Sequence, residues 1–185
     1  MQAPVKIGQP RSLFGTLYDK SAVAQSFRNS KTGAVYDYVV FGGPPVTTVV
    51  FAITVDREVL IVKQFRHGAE DFMLELPGGV PQGGETDEEN ARLELLQETG
   101  HVPEKIIRLT PEPIYFDPAS WTTAFQPFLA EGCLKIQEQN LDVVEDIEVV
   151  RLPLSEWLYL AKGGEMRDAK SIVTTLLAMR VLEDR

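Results

Sequence analysis

A single cysteine, Cys133, rules out an intrachain disulfide, and two histidines, His67 and His101, are too few and too isolated for a zinc site. Nothing near Cys133 in sequence would activate its thiol, so a buried, inert cysteine is expected. No apolar run approaches the length that spans a bilayer, and the opening MQAPVKIGQPRSLFG has no signal-peptide core. These absences point to a soluble protein in a reducing, cytoplasmic setting, with no membrane partner. Basic charge is also short: 18 lysines and arginines face 27 acids, a formal net charge of −9. No lysine or arginine cluster rises above that background, so there is no general electrostatic pull on nucleic acid. A polyanionic ligand would have to be small and held locally, through metal.

Apolar mass, by contrast, is ample. Of the 185 residues, 44% are hydrophobic, which suits one compact domain with a real core, alone or with a small appendage. Residues 1–12 hold two prolines, and an irregular lead-in is expected there. Residues 13–19, 22–28 and 34–41 read as three strands joined by short polar turns. Gly42-Gly43-Pro44-Pro45 is a break and a plausible linker. Residues 1–43 thus form an N-terminal antiparallel β appendage, and residues 44–185 the main domain. The appendage has more apolar residues than three isolated strands can bury, so it should pack on the main domain or on a second subunit.

The main domain begins with a hairpin, residues 46–55 and 58–65 about Asp56-Arg57. Its runs VVFAITV and VLIV are continuous enough for strands buried on both faces. Further strands are expected at 72–76, 106–109, 114–116, 123–131 and 147–152. Helices are expected at 154–162 and 167–182, the second with Ile172, Leu176 and Val181 among its apolar positions and Asp168 near its start. A mixed sheet with helices on both sides fits this order.

The stretch from Leu76 to His101, LPGGVPQGGETDEENARLELLQETGH, organises the rest. A glycine-rich loop, Gly78-Gly79 through Gly83-Gly84, runs into an acidic helix. Thr86 with Glu89 has the capping-box spacing, and Gly100 suits the position just past the helix end. Ala91 and Leu95 mark a buried stripe, whereas Glu94 and Glu98, one turn apart, share another face. Like charges at that spacing repel unless a divalent cation lies between them, and Mg2+ accepts carboxylate oxygens while keeping waters and binding phosphates. The two acids alone fit a solvated helix face; with the loop and cap they suggest a metal-assisted phosphate site.

This stretch resembles the Nudix box, G-x5-E-x7-R-E-U-x-E-E-x-G-U with U a bulky aliphatic. Gly79, Glu85, Glu94, Leu95, Glu98 and Gly100 fall on the pattern. Leu93, Gln97 and His101 depart from it, standing where the family has arginine, the first glutamate of the pair and an aliphatic. Arg92 lies about 100° around the helix from Leu93 and is a poor substitute. The resemblance covers about residues 46–183 and implies an α+β protein with an α/β/α sandwich and a mixed β-sheet. VLIVKQFRHGAEDFMLELPGG before the box, and EDIEVVRLPLSEW and GGEMRDAKSI after it, look most like the ADP-ribose pyrophosphatase and nucleoside-diphosphate-sugar branch. In that branch the N-terminal strands help build a homodimer.

The resemblance implies Mg2+-dependent hydrolysis, with Mn2+ an alternative ion, of ADP-ribose or a nucleotide sugar to two monophosphates. Metal would be held by Glu94, Glu98, Glu85 and the backbone carbonyl of Gly78. Glu145 is the first candidate for the general base and Glu138 the second, each otherwise a surface acid. Arg66 would grip phosphate or sugar, and is otherwise a strand-end arginine. Tyr115, Phe116 and Trp121 could stack on a base or simply cover core. His67 reads as a structural or substrate-adjacent group. Two other functions stay open: a catalytically weak or inactive Nudix fold that binds a nucleotide or a partner, motivated by Leu93 and Gln97, and a pyrophosphatase acting on a nucleoside triphosphate.

Overall fold

In the computed structural model, which describes residues 5–15, 21–42, 46–143 and 145–184, the chain forms two compact units. One comprises Met1–Pro45 and Tyr115–Ala124, the other Val46–Ile114 and Phe125–Arg185. Most of the expected linker, residues 43–45, and the end of the first expected strand, residues 16–19, lie outside the described residues.

The first unit is built on an antiparallel sheet of β1 (Val5–Gly15), β2 (Ser21–Arg28) and β3 (Val35–Gly42), in that order. Strand β1 starts well before residue 13, so the expected irregular lead-in is corrected. Pro10 does not end the strand because it falls where the β1–β2 register shifts, between Ile7 and Arg11. A proline costs no ladder hydrogen bond at such a bulge. The side chain of Asn29 closes the β2–β3 turn by accepting the N–H groups of Lys31 and Thr32, each at 2.9 Å. Residues 116–123 lie beside β3: Phe41 N–H donates to Ser120 O at 2.8 Å, and Thr122 N–H to Phe41 O at 2.9 Å.

In the second unit, β4 (Val46–Thr54) and β5 (Glu58–Arg66) form the expected hairpin, with Arg57 at φ 62° in its turn. The hairpin then opens. Val62 to Arg66 pair instead with β6 (Asp71–Glu75), and the loop after β6 takes up the edge of β4. Val50 N–H donates to Pro77 O at 2.9 Å, and Thr48 N–H to Gly79 O at 2.8 Å. The glycine loop is thereby wedged into the middle of the sheet. After it come α1 (Asp87–Thr99), β7 (His101–Val102), β8 (Lys105–Arg108), β9 (Ile114–Tyr115), β10 (Ala124–Lys135), β11 (Ile147–Pro153), α2 (Leu154–Gly163) and α3 (Ala169–Glu183). The sheet runs β11-β5-β4-β10-β7, with β6 beside β5 and β8 and β9 beside β10.

Alternation along β4 and β5 feeds two cores. Val49, Phe51, Val59 and Ile61 pack with Trp157 of α2 and Ala178 of α3. Val50, Ala52 and Leu60 pack with Ala91 and Leu95 of α1. Helices thus cover both faces, the α/β/α sandwich of an α+β fold. Cys133 lies in the second of these cores, and burial pushes its thiol up to about 12, as an inert cysteine requires. Helix α1 has the expected capping box at Thr86 and Glu89, and Gly100 closes it in the left-handed conformation. In α3 the apolar Leu176 is exposed, and Ser171, Thr174, Thr175 and Ala178 are buried. These small side chains suit close packing on the sheet. Thr175 accepts the indole N–H of Trp157 at 3.0 Å, and Ser171 accepts the amide of Leu76 at 2.8 Å. Among the described residues, no helix is long and apolar enough to cross a membrane.

Candidate active site

The site forms where the wedged loop meets α1. Gly78 has φ +154°, and a Cβ on it would stand 2.0 Å from the backbone oxygen of Thr48. Gly79 is constrained differently, since a Cβ there would lie 2.4 Å from the carboxylate of Glu94. Only glycines let this loop lie between the central strand and an acid. Asn90, buried in the first turn of α1, fastens the two together: its amide donates to Thr48 Oγ1 at 2.8 Å and to Gly79 O at 3.1 Å.

Glu94 and Glu98 are both buried, at 8% and 4% exposure, which decides against the solvated-helix reading of their face. Glu98 accepts the Gly78 N–H at 2.8 Å. Burial, reinforced by the charges of Glu145, Asp142 and Glu85, pushes Glu94 up to about 7. Burial, with the charges of Glu94 and Glu145, raises Glu98 to about 8 against the opposing pull of the Gly78 N–H and Arg66. A cation would relieve both.

The remaining expected residues divide. Glu85 bends back on its own loop, where its carboxylate takes the Gly83 N–H at 2.8 Å and is held below the usual range by loop amides. Its charge still reaches Glu94. Glu145 is exposed in the loop before β11, and its charge is felt at both Glu94 and Glu98. Glu138 instead pairs with Lys135 at 2.8 Å. Arg66 stands within electrostatic reach of Glu98. His67 sits edge-on to Phe65 at 5.4 Å, a structural contact. Of the residues that depart from the box, Leu93 is exposed and Gln97 half-buried, whereas Arg92 pairs with Glu88 and does not replace the missing arginine. Tyr115, Phe116 and Trp121 belong to the first unit, where Trp121 stacks on Phe41 and, with Phe27, Tyr36, Tyr38 and Tyr115, lines an open cavity of about 390 Å³.

Glu75 escaped the sequence reading. Its buried carboxylate holds Arg66 in a two-point pair, Nε at 2.5 Å and Nη2 at 2.6 Å, and accepts Lys170 Nζ at 3.3 Å. Burial alone would raise Glu75, but the two cations outweigh it and the carboxyl lies below its usual value. The available signal was an acid inside the apolar strand FMLEL. Gln substitution at Glu75 should leave Arg66 and Lys170 beside each other with only the longer contact of Lys170 to Asp168, at 3.9 Å, as counter-charge. The expected result is a loss of about 2–4 kcal/mol in thermal unfolding and at least a tenfold fall in kcat/KM, through a misplaced Arg66.

The two carboxyls, Glu94 and Glu98, also predict a pH dependence in chelator. Both carboxyls have folded values above their unfolded value of 4.5, so they favour the folded state while protonated. That contribution is complete below 4.5 and is lost as pH rises through about 7 and about 8. Buried His101 has a depressed pKa and acts oppositely, but only below 6.5. From pH 6.5 to 9 in chelator, the melting temperature should fall by roughly 5–10 °C. Added Mg2+ should stabilise the protein more at pH 9 than at pH 6.5, because protons compete with metal for these oxygens.

A NUDIX domain model matches residues 43–172. The ADP-ribose pyrophosphatase of Bacillus subtilis is 34% identical over 128 residues, covering 69% of this chain and 68% of that protein. A GDP-mannose pyrophosphatase of Salmonella arizonae is 31% identical, covering 68% and 69%. A methanol dehydrogenase activator of Bacillus methanolicus is 28% identical, covering 70% and 69%. A crystal structure of an ADP compounds hydrolase superposes with a TM-score of 0.85 over 100% of this chain and 96% of that one, at 18% identity. The chain belongs to the Nudix family and is a pyrophosphohydrolase by class.

Hydrolases of this family generally use divalent metal ions. Among the described residues, no three carboxylate, imidazole or thiol groups close around one point. Two buried, mutually repelling carboxylates beside a backbone loop nevertheless fit a hard cation that keeps waters and takes its other oxygens from a phosphate.

Proposed function

We propose that the protein hydrolyses a nucleoside diphosphate linked to another moiety, ADP-ribose or a nucleotide sugar, to two monophosphates with Mg2+ or, in its place, Mn2+. The buried pair Glu94 and Glu98, seated against the glycine loop, carries this reading. Similarity to an ADP-ribose pyrophosphatase and a GDP-mannose pyrophosphatase supports the substrate class. Glu94, Glu98 and the Gly78 carbonyl would hold the ion, with Glu85 joining them on leaving its loop amides, and the ion would offset the diphosphate charge and make a bound water more acidic. Arg66 has one guanidinium edge on Glu75 and, among the described residues, no hydrogen bond on the other, which can take a phosphate oxygen pair. Glu145, exposed and within reach of the pair's electrostatics, takes the proton of the attacking water as general base. The first unit supports self-association as a homodimer, because β3 leaves Val35, Tyr36, Tyr38 and Val39 exposed.

A second reading keeps the fold and weakens the chemistry. Leu93 and Gln97 replace two charged box positions, and the relative from Bacillus methanolicus is a methanol dehydrogenase activator. That reading makes the chain a nucleotide- or partner-binding protein. A hydrolysis panel of ADP-ribose, ADP-glucose, UDP-glucose, GDP-mannose and a nucleoside triphosphate, with Mg2+ and with chelator, separates the two. Metal-dependent release of two monophosphates from a diphosphate supports the enzyme. No turnover, with thermal stabilisation by one nucleotide, supports the binding protein.

A further inference from the structure

The last turn of α1 leaves its carbonyls to be satisfied from outside the helix, as every helix end must. Here they are taken up one after another. Leu96 O accepts Gly100 N–H at 2.8 Å, and Gln97 O accepts Asn140 N–H at 2.9 Å. Glu98 O accepts the side-chain amide of Gln139 at 2.7 Å. The same Gln139 nitrogen also donates to Ile147 O, the first residue of β11, at 3.1 Å. One half-buried amide therefore ties together three places: the carbonyl of Glu98, the start of the loop that carries Glu145, and the end of that loop. Within the loop, the Glu145 carboxylate accepts the Asp142 N–H at 3.0 Å, and the Glu145 N–H donates to Asp142 O at 2.9 Å.

We infer that Gln139 is a positioning residue, a latch that fixes the Glu145 carboxylate relative to Glu98. The inference rests on the assignment of Glu145 as general base. It follows from the chemistry of the amide. A primary amide nitrogen has two N–H donors, and both are spent on carbonyls that no other side chain of the loop reaches among the described bonds. Among the described residues, the bonds of its amide go to backbone carbonyls and not to the carboxylates of Glu94 or Glu98. Its effect passes through the backbone it joins, the end of α1 at Glu98 and the loop that carries Glu145, and a displacement of about 1 Å at a proton-accepting group is enough to cost roughly a hundredfold.

The test is a double-mutant cycle on the full chain with Gln139→Glu and Glu145→Gln. Gln139→Glu keeps the size but presents an anion to two carbonyls, so the latch opens without a hole in the core. Gln139→Lys puts N–H donors back in place of the anion. The expected result is a 10- to 100-fold lower kcat for Gln139→Glu, with KM within about threefold, recovery in Gln139→Lys, and no further loss when Gln139→Glu is added to Glu145→Gln. Additive losses in the double variant, or a fall in melting temperature that accounts for the lost activity, would overturn the latch. A Glu145→Gln variant with normal kcat would instead remove Glu145 as base. Amide hydrogen exchange then decides the latch alone, without turnover: Gln139→Glu should speed exchange at Asn140 and Glu145 and spare the middle of α1. Unchanged exchange at those two amides would sink it.

Discussion

Glu98→Gln is expected to abolish turnover and, in the same molecule, to raise the melting temperature of the metal-free protein at pH 8.5. Both effects come from one charge. At that pH the Glu98 carboxyl, raised to about 8 chiefly by burial, is mostly ionised, close to Glu94 and 4% exposed. An amide of equal size carries no charge to desolvate, and its oxygen can still accept the Gly78 N–H that Glu98 takes at 2.8 Å. The gain should be roughly 1–3 kcal/mol, or about 3–8 °C, after the cost of placing the new NH2 group. At pH 6 the native carboxyl is protonated and only the cost of taking up that proton above 4.5 remains, so the gain should be smaller. Turnover should fall by at least about a hundredfold, the upper end of the cost of losing even an outer supporting group of a metal site. Scanning calorimetry in chelator at the two pH values, beside kcat with Mg2+, reads both effects. A variant that melts lower at pH 8.5 would mean that Arg66 and the Gly78 N–H already compensate the buried charge, leaving little work for a cation.

The contrast between what was legible in the sequence and what was not follows the range of the interactions. Helix α1, its capping box and its left-handed Gly100 rest on residues within a turn or two of one another, and they stand as read. So do the two-faced strands, because alternation in β4 and β5 is written in consecutive residues. Glu75 was missed because its partnership with Arg66 depends on the β5–β6 register, and with Lys170 on a helix 95 residues away. The buried face of α3 was not legible because apolar spacing does not reveal that the helix approaches the sheet through serine and threonine. The association of residues 115–124 with the N-terminal strands, and the double bond of Gln139, join segments far apart in sequence with no compositional mark. The departures at Leu93 and Gln97 were legible as letters. The structure adds that Glu85 has turned to its own loop amides.

The second large effect is expected from a single methyl group at Gly78. By letter, Gly78→Ala adds one methyl group and looks harmless. The geometry argues otherwise. At φ +154° the new Cβ would stand 2.0 Å from Thr48 O, 2.9 Å from Thr48 C and 3.0 Å from Val49 Cα. All three are backbone atoms of β4 in the centre of the sheet, so no side chain can swing aside. Relief must come from the loop, which means giving up the Thr48–Gly79 and Val50–Pro77 hydrogen bonds, or withdrawing the N–H from Glu98. Backbone strain of about 1–3 kcal/mol adds to about 1 kcal/mol for each bond lost, so a fall of roughly 6–12 °C is expected. Turnover should fall at least tenfold if the Gly78 carbonyl holds metal as proposed, because the same shift displaces that carbonyl. Gly83→Ala is the control within the same loop: its Cβ would meet only Glu85 Oε1 at 3.7 Å, an ordinary contact, and both readouts should stay near wild type. If Gly78→Ala melted within 2–3 °C of wild type, a shift of only about 1 kcal/mol, the loop would have room to move off β4, and the close seating that brings it to Glu94 and Glu98 would not be what fixes the site.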